Sequence, residues 1–290
     1  MNTKLTKQDD GTIELGITIP WSEIQSRYGK KVDELINEVE IKGFRKGKAP
    51  RELAEKELKK SAVYEEMIKT MVPEVYAEAI KRHNLKPIIQ PEIKLSEAQE
   101  NKDWIVTIFT CEKPSFSIAD YKKTISLAKA ELKRDDLWLP GKEIDEKQKQ
   151  ESTEEKRRKT LDSILTHLVR EANITIPAIL IKAEVDRRLS VLVDELAKLG
   201  LTIETYARSK NLTPQQIRQN HEQEMRTTVA LEFILEHIAD KEKVTIGKDE
   251  IDRMLNKLED EKERESLAKN QYLVADLLRR QKTFDLLLNL

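Results

Sequence analysis

The sequence predicts an α+β domain at residues 1–115, a linker at residues 116–150 and an all-α domain at residues 151–290. Strand patterns lie beside long helical patterns in the first domain, which indicates a small antiparallel sheet packed against helices. In the second domain, apolar residues recur at helical spacing throughout. The chain contains 8 glycines in 290 residues, a low number that favours long helices over tight turns.

The first domain opens with a predicted strand followed by a helix. Apolar and polar residues alternate from Ile13 to Ile19, the pattern of a half-buried strand, and Pro20 ends it. Ser22 and Gln25 have the spacing of a capping box and predict the start of a helix there. Apolar residues then follow a period of 3.6 residues up to about residue 39.

Two more helices and two more strands complete the first domain. A short charged helix is predicted at residues 51–60 and a longer one at residues 61–83, with a kink at Pro73. Residues 85–95 and 103–111 are predicted strands, and the second is rich in β-branched and aromatic residues.

A basic loop separates the first two helical patterns, and it reads Gly43-Phe44-Arg45-Lys46-Gly47-Lys48-Ala49-Pro50. Its glycines and proline favour non-helical backbone geometries. Five basic residues and no acidic residue occur from Lys42 to Arg51. A loop tip that carries Phe44 among cations suits a large polyanion with an apolar niche. The alternative is a solvated basic turn with Phe44 folded back onto the domain.

The second domain is predicted to be a series of helices. They are centred on residues 161–169, 177–199 and 213–240, with two more starting near residues 248 and 267. Pro177 suits the start of a helix and Gly200 the position after its end. Thr213, Pro214 and Gln216 together form a strong helix-start signal.

Composition and motifs argue against several classes of function. The 52 basic and 53 acidic residues give a net charge of −1, so any affinity for a polyanion must be local. The four histidines lack metal-ligand spacing, and no phosphate-binding loop or nucleophile elbow is present. Cys111, the single cysteine, is predicted to be a core residue. No cofactor, catalytic residue or metal site is therefore expected.

The cysteine count and the lack of long apolar runs predict the cellular location. A single cysteine fits a reducing compartment. The first 15 residues lack the apolar core of a signal peptide, and no run of about 18 apolar residues indicates a membrane span. A cytoplasmic protein without a membrane partner is expected.

The basic loop resembles the GFRxGKxP signature of the bacterial trigger factor family of ribosome-associated chaperones. Other segments resemble that family too: TIELGITIP, FTCEKP, IPAILIKAEVDRRL, LGLTIETYARSKNLTPQQIR and LEFILEHIADKEKVTIGKDEIDRML. The resemblance covers residues 12–115 and 160–290. It implies a ribosome-binding domain with the loop at a helix tip, followed by a helical chaperone domain with a body and two arms.

The resemblance also implies partners and site residues. The loop residues Gly43, Phe44, Arg45, Lys46, Gly47, Lys48 and Pro50 would dock on the large ribosomal subunit beside the polypeptide exit, on rRNA or ribosomal protein. The arms and body would hold unfolded nascent chains without ATP. The apolar residues that would line this client surface are not identifiable from the pattern. A weak homodimer is a further expectation.

Family members usually carry a peptidyl-prolyl isomerase domain where residues 116–150 lie. Lys142–Lys159 holds 13 charged residues in 18, so it is a linker or the polar start of a helix. We therefore expect the isomerase domain and its activity to be missing. Leu137–Pro140 is an isolated apolar cluster that packs on a neighbouring domain or contacts clients. The alternatives are a chaperone that does not use the ribosome, an RNA-binding or ribosome-assembly factor, and a prolyl isomerase.

Overall fold

The computed structural model describes residues 2–38, 50–118, 120–135, 153–258 and 260–290. The chain forms two compact units: residues 1–114 with 177–183, and residues 115–176 with 184–290. Residues 43–49 of the basic loop and the apolar cluster Leu137–Pro140 lie outside the described residues. Pro50 is the loop residue that the structure describes.

The sheet of the first unit has four antiparallel strands in the order β1-β2-β4-β3. The strands are β1 (Asn2–Lys7), β2 (Thr12–Ile19), β3 (Glu92–Glu97) and β4 (Trp104–Cys111). The predictions of β2 and β4 are confirmed, whereas β3 starts later than predicted. The sequence analysis missed β1, because this edge strand carries one aliphatic residue, Leu5, among lysines and threonines.

Three helices accompany the sheet: α1 (Trp21–Ile36), α2 (Arg51–Glu57) and α3 (Lys60–His83). The predicted capping box at Ser22 is wrong, because the N-cap of α1 is Pro20, two residues earlier. The N–H of Trp21 donates instead to Asp103 Oδ1 at 2.9 Å. Asp103 is 82 residues away in the sequence, so a tertiary contact replaces the local cap.

The core of the first unit lies between one face of the sheet and two helices, α1 and α3. Alternate residues of β2 and β4 point into it, which is why Ile17 and Ile108 are fully buried. Met67 and Met71 of α3 cover these strands. Cys111 at the end of β4 is fully buried, as predicted.

The second unit is built from helices. They are α4 (Tyr121–Asp135), α5 (Thr153–Ala172), α6 (Ala178–Lys198), α7 (Ile203–Ser209), α8 (Pro214–Lys241), α9 (Lys248–Leu255), α10 (Glu261–Lys269) and α11 (Gln271–Asn289). The first residues of α6, up to Ala183, belong to the first unit. The predicted class, an α+β unit and an all-α unit, is confirmed.

Two local signals in the second unit are confirmed in detail. Thr213 and Gln216 form the reciprocal capping box at the start of α8. Gly200 follows α6 with φ +69°. The N–H of Leu201 donates to Leu196 O at 2.9 Å and that of Gly200 to Ala197 O at 3.0 Å, the pattern of a Schellman motif.

The structure corrects the linker prediction over residues 121–135, which form α4 rather than a linker. Ile118, Tyr121, Ile125 and Ala128 are buried together with residues of α5, α8 and α11. Tyr121, Ile125 and Ala128 are spaced by three or four residues and form one apolar stripe on α4, among many charged residues. The high charge of the segment concealed this narrow stripe.

Candidate functional site

The predicted basic loop connects α1 to α2. Pro50 precedes α2, and its carbonyl accepts the N–H groups of Leu53 at 3.0 Å and Ala54 at 3.2 Å. The C-terminal residue of the loop is therefore the N-cap of α2.

The helix before the loop carries no surplus of positive charge. Its charged side chains are three acidic and three basic: Glu23, Asp33, Glu34, Arg27, Lys30 and Lys31. Arg27 pairs with Glu74 of α3 at 2.6 Å, and Lys31 pairs with Glu34 at 2.6 Å. A polyanion that binds this end of the unit would therefore depend on the cations of the loop itself.

A second candidate surface lies at the end of α6, and we call it the α6 tip: Val191, Val193, Leu199 and Leu201. These side chains are exposed, and Leu199 is 74% exposed. The Schellman motif at Gly200 stops the helix, and Leu196 is buried one turn before it. The aliphatic residues that follow are left in solvent because no described element covers them.

A third candidate surface lies on α11, and we call it the α11 face: Tyr272, Leu273 and Leu277. Tyr272 is 89% exposed. Val274 of the same helix is buried with Ile251 and Leu255 of α9. The helix is therefore held in place by its buried residues, while its exposed apolar side chains are available to a partner.

An open groove of about 510 Å³ lies between α5 and α8. Leu165, Val169 and Leu231 form its apolar part, and Asp162 and Arg170 are among its polar lining. The groove adds a third apolar feature to the second unit.

A polar cluster joins the start of α4 to the end of α8. The hydroxyl of Tyr121 donates to Glu242, and Lys122 pairs with the same carboxylate at 2.9 Å. Burial and the bond to Glu242 raise the pKa of Tyr121. These contacts hold the start of α4 against the end of α8.

Across residues 2–38, 50–118, 120–135, 153–258 and 260–290, no three metal-ligating side chains cluster together. No helix within those ranges is long and apolar enough to cross a bilayer.

Sequence reasoning located the basic loop but not the apolar surfaces. Leu196 and Leu199 belong to the same helical pattern, yet one is buried and the other exposed. No signal in the sequence separates them. The aliphatic residues Ile93 and Leu95, which lie in the strand predicted at residues 85–95, are also exposed.

Comparison with known families gives two matches. A model described as "Bacterial trigger factor protein (TF)" matches residues 1–151, and one described as "Bacterial trigger factor protein (TF) C-terminus" matches residues 141–289. The two matches overlap at residues 141–151, so together they run through the sequence without a gap.

Individual relatives agree with these matches. Trigger factor of Staphylococcus epidermidis is 26% identical over 168 residues, which are 58% of this chain and 34% of that protein. Trigger factor of Staphylococcus aureus is 28% identical over 154 residues, which are 53% of this chain and 31% of that protein. The chain thus spans about a third of the length of the curated relatives that it matches.

A solved structure has a similar fold. It is described as "Promiscuous Substrate Recognition in Folding and Assembly Activities of the Trigger Factor Chaperone". The TM-score is 0.63 at 14% identity, and the match covers 100% of this chain and 99% of that one.

Proposed function

This chain belongs to the bacterial trigger factor family, and from that premise we propose that it is an ATP-independent chaperone of nascent polypeptides. It docks on the large ribosomal subunit beside the polypeptide exit through the basic loop. It shields emerging apolar segments with the helical unit and releases them without nucleotide.

The observation that carries the ribosome proposal is the complete GFRxGKxP string at residues 43–50, in the connection between α1 and α2. The cations of the loop would meet rRNA phosphates or acidic ribosomal protein, and each such contact weakens with salt. Arg45 would pair bidentately and stack, while Lys46 and Lys48 would act as point charges. Phe44 would fill an apolar niche.

The α6 tip and the α11 face support the client-binding part of the proposal. Unfolded clients differ in sequence, so their binding must be dispersed and adaptable. Full burial of an aliphatic side chain contributes about 1.5–3 kcal/mol before ordering costs. A few partly exposed side chains therefore hold a client transiently, and release needs no ATP.

We also propose that the chain does not catalyse prolyl isomerisation. Residues 116–150 are too few for the isomerase domain usual in the family, and the two family matches leave no segment between them. A proline-limited refolding assay with the full chain is expected to show no acceleration. Clear acceleration would contradict this part of the proposal.

The docking test is co-sedimentation with bacterial ribosomes at low and high salt. The wild-type chain is expected to pellet at low salt and to be released at high salt. The variant Phe44→Ala/Arg45→Ala/Lys46→Ala is expected not to pellet. Lys30→Ala/Lys81→Ala is the control, because it removes two exposed cations of the same unit outside the loop. Circular dichroism checks that each variant is folded, and pelleting of the triple variant at the wild-type level would refute docking by the loop.

The client test is suppression of aggregation of a chemically denatured protein, without ATP. The wild-type chain is expected to suppress aggregation, and Leu199→Gln/Leu201→Gln is expected to be weaker. Suppression without pelleting would indicate a chaperone that does not use the ribosome. Pelleting without suppression, with steep salt dependence on naked rRNA, would indicate an RNA-binding or ribosome-assembly factor.

A further inference from the structure

The two edge strands of the sheet differ in the side chains that they turn toward the helices. On β1 this inward row consists of Thr3, Leu5 and Lys7, which pair with Ile17, Leu15 and Ile13 of β2. On β3 the inward row is Ile93 and Leu95. Charged and polar residues therefore interrupt the row at the β1 edge, as is usual for protected edges. The row at the β3 edge is aliphatic.

The aliphatic row of β3 continues the buried core. Ile93 lies opposite Ile108, and Leu95 lies opposite Val106, and both β4 residues are buried. Ile93 is nevertheless 44% exposed and Leu95 40% exposed. The layer formed by α1 and α3 covers β2 and β4 but leaves the inward side chains of β3 partly exposed.

The backbone of β3 is also open on one side. A strand with one neighbour directs about half of its N–H and C=O groups away from the sheet. Within the part of the chain that the structure describes, no backbone hydrogen bond joins that side of β3 to another element. The register shifts between Leu95 and Glu97, so the regular open edge is Glu92–Leu95.

Along the regular edge Glu92–Leu95, the outer face carries two ammonium groups and one carboxylate, and a second carboxylate, Glu97, follows the register shift. One carboxylate, Glu92, is shared by two ammonium groups, at 2.6 Å from Lys182 and 3.5 Å from Lys94. Lys94 Nζ also lies 4.8 Å from the centre of the Phe109 ring. An acidic side chain opposite Lys94 on an added strand would balance this charge.

We propose that the open edge of β3 binds an extended segment of a client polypeptide as a fifth strand of the sheet. The segment has aliphatic residues at alternate positions, which cover Ile93 and Leu95, and an acidic residue that faces Lys94. This inference rests on the proposed chaperone function and adds a client site on the first unit. Main-chain hydrogen bonds supply affinity with little dependence on sequence, which suits diverse clients.

The test uses hydrogen exchange on the full chain with a nine-residue probe, acetyl-Thr-Ile-Glu-Val-Thr-Ile-Glu-Val-Thr-amide. At a probe concentration about ten times its Kd, the edge amides within residues 92–95 are expected to exchange about tenfold more slowly. The same peptide with its four central residues N-methylated loses donors on both of its edges. It is expected to give no protection, although its side chains are unchanged.

Two variants separate the edge from other apolar surfaces. Ile93→Thr/Leu95→Thr places β-branched residues, which suit a strand, at both positions but removes the aliphatic row. It is expected to weaken probe binding about fivefold to tenfold, measured by fluorescence anisotropy. Leu127→Gln changes an aliphatic residue of α4 that is 54% exposed, and it is expected to leave binding unchanged.

Several results would overturn the proposal. One is equal binding of the N-methylated peptide, and another is protection confined to β1 or to the helices. A third is protection of β3 that rises with protein concentration without the probe, because the occupant would then be a second copy of the chain. Suppression of aggregation is measured on the same samples. If suppression persists without protection of β3, the edge proposal fails and the chaperone proposal stands.

Discussion

Replacement of Asp10 by alanine should destabilise the first unit, because one carboxylate holds two elements. Asp10 lies in the turn between β1 and β2. Its Oδ1 accepts the N–H of Thr12 at 2.9 Å, and its Oδ2 accepts the Thr12 hydroxyl at 2.9 Å and the N–H of Ala178 at 2.8 Å. The same side chain therefore closes the turn and caps the start of α6.

The expected magnitude follows from these contacts. Loss of a helix N-cap costs about 0.5–2 kcal/mol. The contacts to Thr12 are further hydrogen bonds to a charged group, each contributing about 1.5–3 kcal/mol when well shielded and less when exposed. We expect Asp10→Ala to lower the free energy of unfolding by about 2–3 kcal/mol. Asp10→Asn keeps one acceptor oxygen, so we expect about half of that loss.

The effect should depend on pH in a defined direction. Partial burial of Asp10 opposes ionisation, but hydrogen bonds from Ala178 and Thr12 outweigh it and hold the pKa of the carboxyl below its usual value. Its stabilisation is therefore fully present above the unfolded pKa, about 3.9. It is lost as the pH falls through the lower folded pKa.

The difference in the free energy of unfolding is measured by urea unfolding with tryptophan fluorescence as the signal, because Trp21 and Trp104 lie in the first unit. The matched control is Asp9→Ala, which removes an adjacent exposed carboxylate. A loss below about 0.5 kcal/mol for Asp10→Ala at pH 7, the range of ordinary surface substitutions, would refute the reasoning. So would a loss that stays constant down to pH 2.

Three further predictions concern single residues. Thr213→Ala should cost about 1 kcal/mol and speed hydrogen exchange in the first turn of α8, while Thr213→Ser should keep most of the cap. Gly200→Ala should lower the free energy of unfolding by about 1 kcal/mol, because alanine is strained at a φ of +69°. A steric clash adds nothing to this cost, since no atom lies within 4 Å of the added Cβ. Burial raises the pKa of the Cys111 thiol to about 11. It should therefore react with a disulfide reagent at pH 8 only after unfolding.

Each of these three has a result that contradicts it. For Thr213 it is unchanged exchange at the start of α8 in the alanine variant. For Gly200 it is an equal or higher melting temperature with alanine. For Cys111 it is rapid labelling of the native chain, since a thiolate formed near pH 8 would mean that the side chain is not buried.

The sequence by itself determined the elements whose signals lie in consecutive residues. The alternation from Ile13 to Ile19, the cap at Thr213 and the helix stop at Gly200 each depend on neighbours in the chain, and each is confirmed. The family resemblance was also readable, because it rests on strings of adjacent residues. The role of the loop string at residues 43–50 stays a prediction, since residues 43–49 lie outside the described ranges.

Only the tertiary structure decided the features that join distant residues. Asp103 caps α1 from 82 residues away, and Asp10 caps α6 from 168 residues away. The structure also decided that Leu196 is buried while Leu199 is exposed, and that Ile93 and Leu95 stay partly exposed. Periodicity shows which side of a helix or strand is apolar. Whether another element covers that side depends on where the rest of the chain packs, and this is set by contacts between residues far apart in the sequence.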